Sequence, residues 1–177
     1  MKDKGISWGS TNLPIEFRKE EATFNQDLAA LPEKAAALEA VGGTRMNTWI
    51  MPTHDTLTYL ENFKQHQKRL KAAANILGHY GIRLGLEYVG PKTLMSRDKL
   101  AFVRTMKEGK ELITAIDEAN VGFVLDSFHW FCAGETTADL LTLERKDIVT
   151  VDLNDARKDF TADEQIDGKR ELPMATG

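Results

Sequence analysis

The chain has 177 residues, of which 42% are hydrophobic and 28% are charged. This composition is typical of a folded globular protein and excludes a disordered chain, and the length favours a single domain over residues 1–177. The formal net charge of −4, without a long run of lysine and arginine, argues against nucleic acid as a partner.

Two kinds of sequence pattern alternate along the chain. Short apolar runs rich in β-branched residues are typical of buried strands, and longer segments with apolar residues at helical spacing are typical of amphipathic helices. In chain order, the predicted elements are a strand at 5–10, a helix at 20–40, a strand at 44–51, a helix at 56–80, a strand at 82–89, a helix at 98–120, a strand at 121–126, a helix at 137–144 and a strand at 148–153.

This alternation predicts parallel strands joined by right-handed helical crossovers. The candidate folds are therefore a (β/α) barrel and an open doubly wound sheet. The dinucleotide-binding form of the open sheet needs a glycine-rich loop that follows the first strand and opens a helix. The pair Gly42-Gly43 instead precedes a strand, which disfavours that form.

Cysteine content and hydropathy indicate the compartment. The single cysteine, Cys132, precludes an internal disulfide, and the N-terminus lacks the apolar core of a signal peptide. No apolar stretch approaches the roughly 20 residues that a membrane helix needs. We therefore expect a protein of the reducing cytoplasm without a membrane partner.

Three acidic residues stand at the ends of three successive predicted strands: Glu87, Asp126 and Asp152. In a barrel these ends converge, and barrel enzymes place catalytic groups there. Carboxylates that converge in a low-dielectric cavity repel one another, and a divalent cation such as Mn²⁺ or Mg²⁺ would relieve that repulsion. The sequence therefore predicts a metal site with these three ligands. For each acid alone, a salt bridge or a helix cap is the alternative.

Three further residues are candidates for substrate contact. His129 follows Asp126 by three residues, so we expect it in the loop layer above the strand, although its aromatic neighbours also fit a packed structural histidine. Trp49 could provide an apolar wall for a sugar face or belong to the core. Arg157, just after the Asp152 strand, could attract an anionic sugar or be ordinary surface charge.

The motifs Gly-Leu-Glu-Tyr-Val-Gly-Pro at 85–91 and Leu-Asp-Ser-Phe-His-Trp at 125–130, with Asn-Asp-Ala at 154–156, resemble those of the sugar phosphate isomerase/epimerase family. The resemblance implies a xylose-isomerase-like TIM barrel and a metal-dependent isomerase or epimerase that moves a proton next to the carbonyl of a sugar or sugar phosphate. It also implies that Glu87 is a metal ligand and the catalytic base, Asp126 a second ligand, and His129 a catalytic residue in contact with the substrate.

The chain departs from the family pattern in two places. Asp152 stands where the third metal ligand is usually a histidine, and the fourth ligand, on the final strand, would lie beyond Gly177. Because a (β/α)₈ barrel takes about 250 residues, we expect an incomplete barrel with about five visible strands, lacking the first and last strands. The open edges of such a fragment could pair with another chain, which would allow a homo-oligomer.

Other functions remain open at this point. A dehydratase of a cyclic polyol or a hydroxypyruvate-type isomerase would keep the barrel and the metal. A truncated, non-catalytic fragment or binding subunit would keep only the fold. A DNA repair nuclease of the endonuclease IV type needs a histidine-rich zinc cluster and a basic groove, and the four histidines of this chain argue against it.

Overall fold

The computed structural model describes residues 4–95 and 98–176. In chain order its helices and strands are β1 (Thr11–Asn12), α1 (Glu21–Ala40), β2 (Arg45–Ile50), β3 (Thr53–His54), α2 (Tyr59–His79), β4 (Arg83–Tyr88), β5 (Leu100–Ala101), α3 (Met106–Ile116), β6 (Val121–Asp126), α4 (Ser127–Ala133), α5 (Thr137–Leu140) and β7 (Ile148–Asp152). No helix within this described part is both long and apolar enough to cross a membrane.

The main sheet has the strand order β1-β2-β4-β6-β7, and every neighbouring pair is parallel. Its strands follow one another in chain order, so the right-handed crossovers carry all the connecting helices to the same face. A doubly wound sheet would need a reversal of strand order, which these five strands do not have. The sheet is therefore half of a (β/α) barrel, and the prediction of an incomplete barrel with five parallel strands is confirmed.

Four predicted strands and most predicted helices are confirmed; the strand at 121–126 has its predicted ends, and the others have shifted ends. The strand predicted at 5–10 is wrong: those residues are exposed and form no strand, and the first strand is the short β1. Ile6 and Trp8, whose apolar character suggested the strand, are 56% and 41% exposed. An apolar run forms a buried strand only where a neighbour pairs with it, and β2 pairs with Thr11 and Asn12 instead.

The helix predicted at 98–120 is also shorter than expected. Leu100–Ala101 pairs antiparallel with Thr53–His54, and α3 begins only after Thr105. The Thr105 side chain accepts from the Glu108 amide while the Glu108 carboxylate accepts from the Thr105 amide. This capping box fixes the helix start.

The strands divide their side chains between two environments. In β2, Met46, Thr48 and Ile50 are buried, whereas Asn47 and Trp49 alternate with them and face the barrel interior. The helix side forms a continuous apolar core with α1 and α2. The interior side is polar and carries the candidate functional residues.

Below those residues, Asn47 crosses the interior. Its Nδ2 donates to Ser10 Oγ at 3.0 Å and to Thr150 Oγ1 at 2.9 Å. Gly85 of the intervening strand makes this crossing possible, because a β-carbon there would lie 2.6 Å from Asn47 Oδ1 and 2.8 Å from a methyl carbon of Val124. A polar layer therefore links β2 directly to β7 beneath the site.

His66 is a buried, neutral histidine in α2. Its side chain packs against the rings of Phe17 and Phe102, with centroids at 5.3 and 4.8 Å, and its Nδ1 donates to the Asn62 carbonyl at 2.9 Å. Its Nε2 is buried without a hydrogen-bond partner among the described residues. Burial lowers the pKa of His66 from 6.5 to about 4.

We expect His66 to make the fold acid-sensitive. Above pH 6.5 the histidine is neutral in both states, but between pH 6.5 and 4 the unfolded chain takes up a proton that the folded chain refuses, so stability falls as the pH falls. The loss attributable to this side chain should be about 2–3 kcal/mol. Urea unfolding from pH 7.5 to 4 should show a steeper loss for the wild type than for His66→Leu. Parallel curves for the two proteins would contradict this role.

Candidate active site

The predicted acids meet at the carboxyl ends of three neighbouring strands. Glu87 lies near the end of β4, and Asp126 and Asp152 are the last residues of β6 and β7, where they are register partners. Together they line one open cleft of about 710 Å³. The full lining is Glu87, Asp126, Val151, Asp152, Leu153, Asn154 and Arg170.

Among the described residues, the closest group of side chains that could hold a metal ion consists of Glu87, Asp126 and His129. One ligand atom from each of these residues lies within 4.8 Å of the others. Glu87 Oε1 is 3.8 Å from His129 Nε2, and the side chains of Asp126 and His129 are both 2% exposed. Asp152 lines the same cleft as an exposed residue and is not a member of this group.

Asp126 has a structural role as well as a position in the cleft. Its Oδ1 accepts from the amides of Phe128 at 2.7 Å and His129 at 3.4 Å, so it is the N-cap of α4. Its Oδ2 accepts from Asn154 Nδ2 at 3.1 Å and from Arg170 Nη1 at 2.7 Å. The strand therefore passes into a helix at the acid itself.

The position predicted for His129 was wrong in one respect. It lies in the first turn of the buried helix α4, whereas the sequence placed it in a loop layer. The reason is the cap made by Asp126, which starts the helix without an intervening loop. Its Nε2 nevertheless lies 3.8 Å from Glu87 Oε1 at the barrel mouth.

The His129 ring is oriented by the loop after β4. Its Nδ1 accepts from the amide of Gly90 at 3.3 Å, and desolvation lowers the pKa of His129 to about 4, so the ring is neutral near pH 7. A β-carbon on Gly90 would lie 2.2 Å from the backbone oxygen of His129 and 3.0 Å from the amide nitrogen of Ala133. Only glycine brings the loop amide this close to the helix.

The cleft has an excess of negative charge. Burial, and next the nearby Asp126 carboxylate, raise the pKa of Glu87 to about 8. Partial desolvation and the same carboxylate also raise the pKa of Asp152. The guanidinium of Arg170 opposes both shifts without cancelling them. The carboxylates therefore favour either a proton or a further cation between them.

The two remaining predicted residues lie in different places. Trp49 is 45% exposed on the interior face and lines a smaller cavity that also includes Glu87 and Asp152. Arg157 lines a different cavity, where its Nε and Nη2 donate to the Asp159 carboxylate at 2.9 and 2.6 Å. The fold brings Trp49 to the candidate site and does not bring Arg157 there.

The sequence did not identify three residues that shape this site: Gly90, Asn154 and Arg170. Gly90 and Asn154 belong to motifs that were visible in the sequence, but only their contacts show what they do. Arg170 lies far from the predicted strands, in a segment without regular periodicity. Arg170 is 44 positions from Asp126 along the chain, and no sequence pattern indicated that the two side chains would meet.

A protein-family model described as xylose isomerase-like TIM barrel matches residues 1–177. Among curated proteins, the chain is similar to an inosose isomerase from Bacillus subtilis (strain 168), with 30% identity over 91 residues. These residues are 51% of this chain and 30% of that protein.

Two solved structures are similar over nearly the whole chain. A xylose isomerase domain protein from Alicyclobacillus acidocaldarius has a TM-score of 0.89 and 32% identity, covering 98% of this chain and 61% of that one. A structure described as the IOLI protein with a binding zinc atom has a TM-score of 0.76 and 22% identity, covering 94% of this chain and 57% of that one. The chain spans less than two thirds of the length of each of these relatives.

Proposed function

Because this chain belongs to the xylose isomerase-like TIM barrel family, we propose that it carries the proton-transfer site of a metal-dependent isomerase or epimerase acting on a sugar or sugar phosphate. The observation that carries this proposal is the convergence of Glu87, Asp126 and His129 within 4.8 Å at the mouth of the half-barrel. Barrel enzymes of many kinds react at this end of the strands.

The side chains of the cleft fit a divalent cation. Glu87, Asp126 and Asp152 would supply the oxygen ligands, and the raised pKa values of Glu87 and Asp152 reflect negative charge that a cation would offset. Mn²⁺ and Mg²⁺ suit an oxygen-rich site, and the zinc in the IOLI structure makes Zn²⁺ a third candidate. When bound, such an ion polarises a substrate carbonyl as a Lewis acid.

The chain itself would move the proton. Glu87 Oε1 takes the proton from the carbon next to the carbonyl and returns it. With a pKa of about 8 the free side chain holds a proton near pH 7, so this role needs the cation, which would lower that pKa. His129 presents Nε2 to the same space, 3.8 Å from Glu87, and donates from it to a substrate oxygen. Trp49 gives the sugar ring an apolar wall beside Glu87.

The substrate is a carbohydrate small enough for the cleft. Inosose is the first compound to test, because of the similarity to inosose isomerase, and ketohexoses and their phosphates come next. No residue of the cleft favours the dehydratase alternative. Arg157 remains a predicted contact for an anionic substituent, and it would have to leave Asp159 to make one.

Solvent exchange tests this proposal directly. The protein is incubated with each substrate in D₂O, and deuterium at the carbon next to the carbonyl is followed by NMR before chelation, after chelation, and after addition of Mn²⁺, Mg²⁺ or Zn²⁺. We expect exchange to fall by about 100-fold or more on chelation and to return with one of the ions. Exchange that survives chelation, or no exchange with any substrate and ion, would contradict the proposal.

A further inference from the structure

Arg170 occupies the candidate metal site with a positive charge that belongs to the chain. Its Nη1 donates to Asp126 Oδ2 at 2.7 Å, and its Nη2 is 3.1 Å from His129 Nε2. The same guanidinium acts electrostatically on Glu87. It therefore interacts with all three side chains of the closest metal-binding group, although it comes from a distant part of the sequence.

The hydrogen bonds of Asp126 leave no free position for an ion. A carboxylate offers about four lone-pair sites. The backbone amides of Phe128 and His129 occupy the lone-pair sites of Oδ1. The side chains of Asn154 and Arg170 occupy the lone-pair sites of Oδ2. The two amides hold α4 in place, so an ion that approaches Oδ2 must displace Asn154 or Arg170. Arg170 is the partner that an ion would also repel.

The contact between Arg170 and His129 is itself unfavourable. Because Gly90 donates to Nδ1, the proton of the neutral ring lies on Nε2. Nε2 then faces Nη2 of Arg170 as one donor against another at 3.1 Å. Withdrawal of the guanidinium would leave this N–H free for a substrate oxygen.

Arg170 has a second anchor outside the group. Its Nε donates to the backbone oxygen of Asp167 at 2.9 Å, and its Nη2 donates to Asp167 Oδ1 at 2.6 Å. The Asp167 side chain is 41% exposed to solvent. The guanidinium can therefore give up Asp126 and remain paired with Asp167.

We propose, on the basis of the function proposed above, that Arg170 is a positioning residue that competes with the divalent ion for Asp126 Oδ2. It offsets part of the negative charge of the cleft until an ion binds, and it weakens ion binding by the free energy needed to displace it. The affinity of the site for divalent ions is then set partly by a residue that is not a ligand.

The test is the affinity of the metal itself, measured by isothermal titration of Mn²⁺, Mg²⁺ and Zn²⁺ into the wild type and Arg170→Gln. We expect at least tenfold tighter binding in Arg170→Gln. Arg170→Lys keeps the charge and should bind within about threefold of the wild type. Arg145→Gln, which removes the same charge from an exposed position, should not change the affinity.

A second measurement follows the wild type by NMR, and Arg170→Gln is needed only to assign the resonance. In the wild type, the ¹⁵N resonance of the Arg170 guanidinium should shift, and its protons should exchange faster with water, on addition of Mg²⁺ or Zn²⁺. Equal or weaker binding by a folded Arg170→Gln protein overturns the role of Arg170 alone, as does an unchanged guanidinium resonance at saturating metal. Failure of the wild type to bind any of the three ions at millimolar concentration overturns this inference and the proposed metal dependence together.

Discussion

Glu87→Gln is expected to lower the rate of substrate proton exchange with solvent by about 10²- to 10⁴-fold. Glutamine preserves the shape of the side chain and removes the oxygen that accepts the proton. The position lies in the cleft with 20% of its side chain exposed, 3.8 Å from His129 Nε2. The measurement is deuterium exchange at the carbon next to the carbonyl, with the metal ion present at saturation.

The free energy of unfolding distinguishes the loss of the catalytic base from misfolding of the variant. The carboxylate of Glu87 is desolvated and repelled by Asp126, so its neutral replacement should leave the free energy of unfolding unchanged or slightly raised in the absence of metal. Glu33→Gln makes the same replacement on the exposed side of α1 and should change neither exchange nor stability. Exchange within threefold of the wild type in Glu87→Gln would show that another group is the base.

Asp126→Ala is expected to give the largest loss of stability of any single change in the site, about 3 kcal/mol or more. The substitution removes the cap of α4, the acceptor of the Asn154 amide and the partner of the Arg170 guanidinium. Arg170 is 24% exposed and keeps Asp167, which limits the penalty from the charge it leaves behind. Urea unfolding at pH 7 measures this loss.

Two variants show which contact matters. Asp126→Asn keeps an oxygen for the cap and should lose less stability than the alanine variant, yet it should still weaken metal binding because the ligand has lost its charge. Asp159→Ala breaks an arginine pair that is exposed, and it should cost less stability than Asp126→Ala. If Asp126→Ala and Asp159→Ala lost the same stability, the structural role assigned to Asp126 would be wrong.

The strands that carry the site were predictable because their residues obey a local rule. A parallel strand covered by helices is a short apolar run, and β4, β6 and β7 each satisfy that pattern and carry an acid as the last or the penultimate residue. The convergence of Glu87, Asp126 and Asp152 on one cleft followed from the parallel order alone. The strand predicted at 5–10 does not form because pairing depends on a neighbouring strand and not on local sequence: an apolar run without a pairing partner forms no strand.

The sequence by itself determined the alternation of strands and helices and the positions of the acids, because periodicity and strand ends are properties of neighbouring residues. Only the tertiary structure brought Gly90 against His129 and put Arg170 beside Asp126 and His129. These contacts join residues about 40 positions apart. No local pattern encodes them, because each depends on where a loop returns to the mouth of the half-barrel.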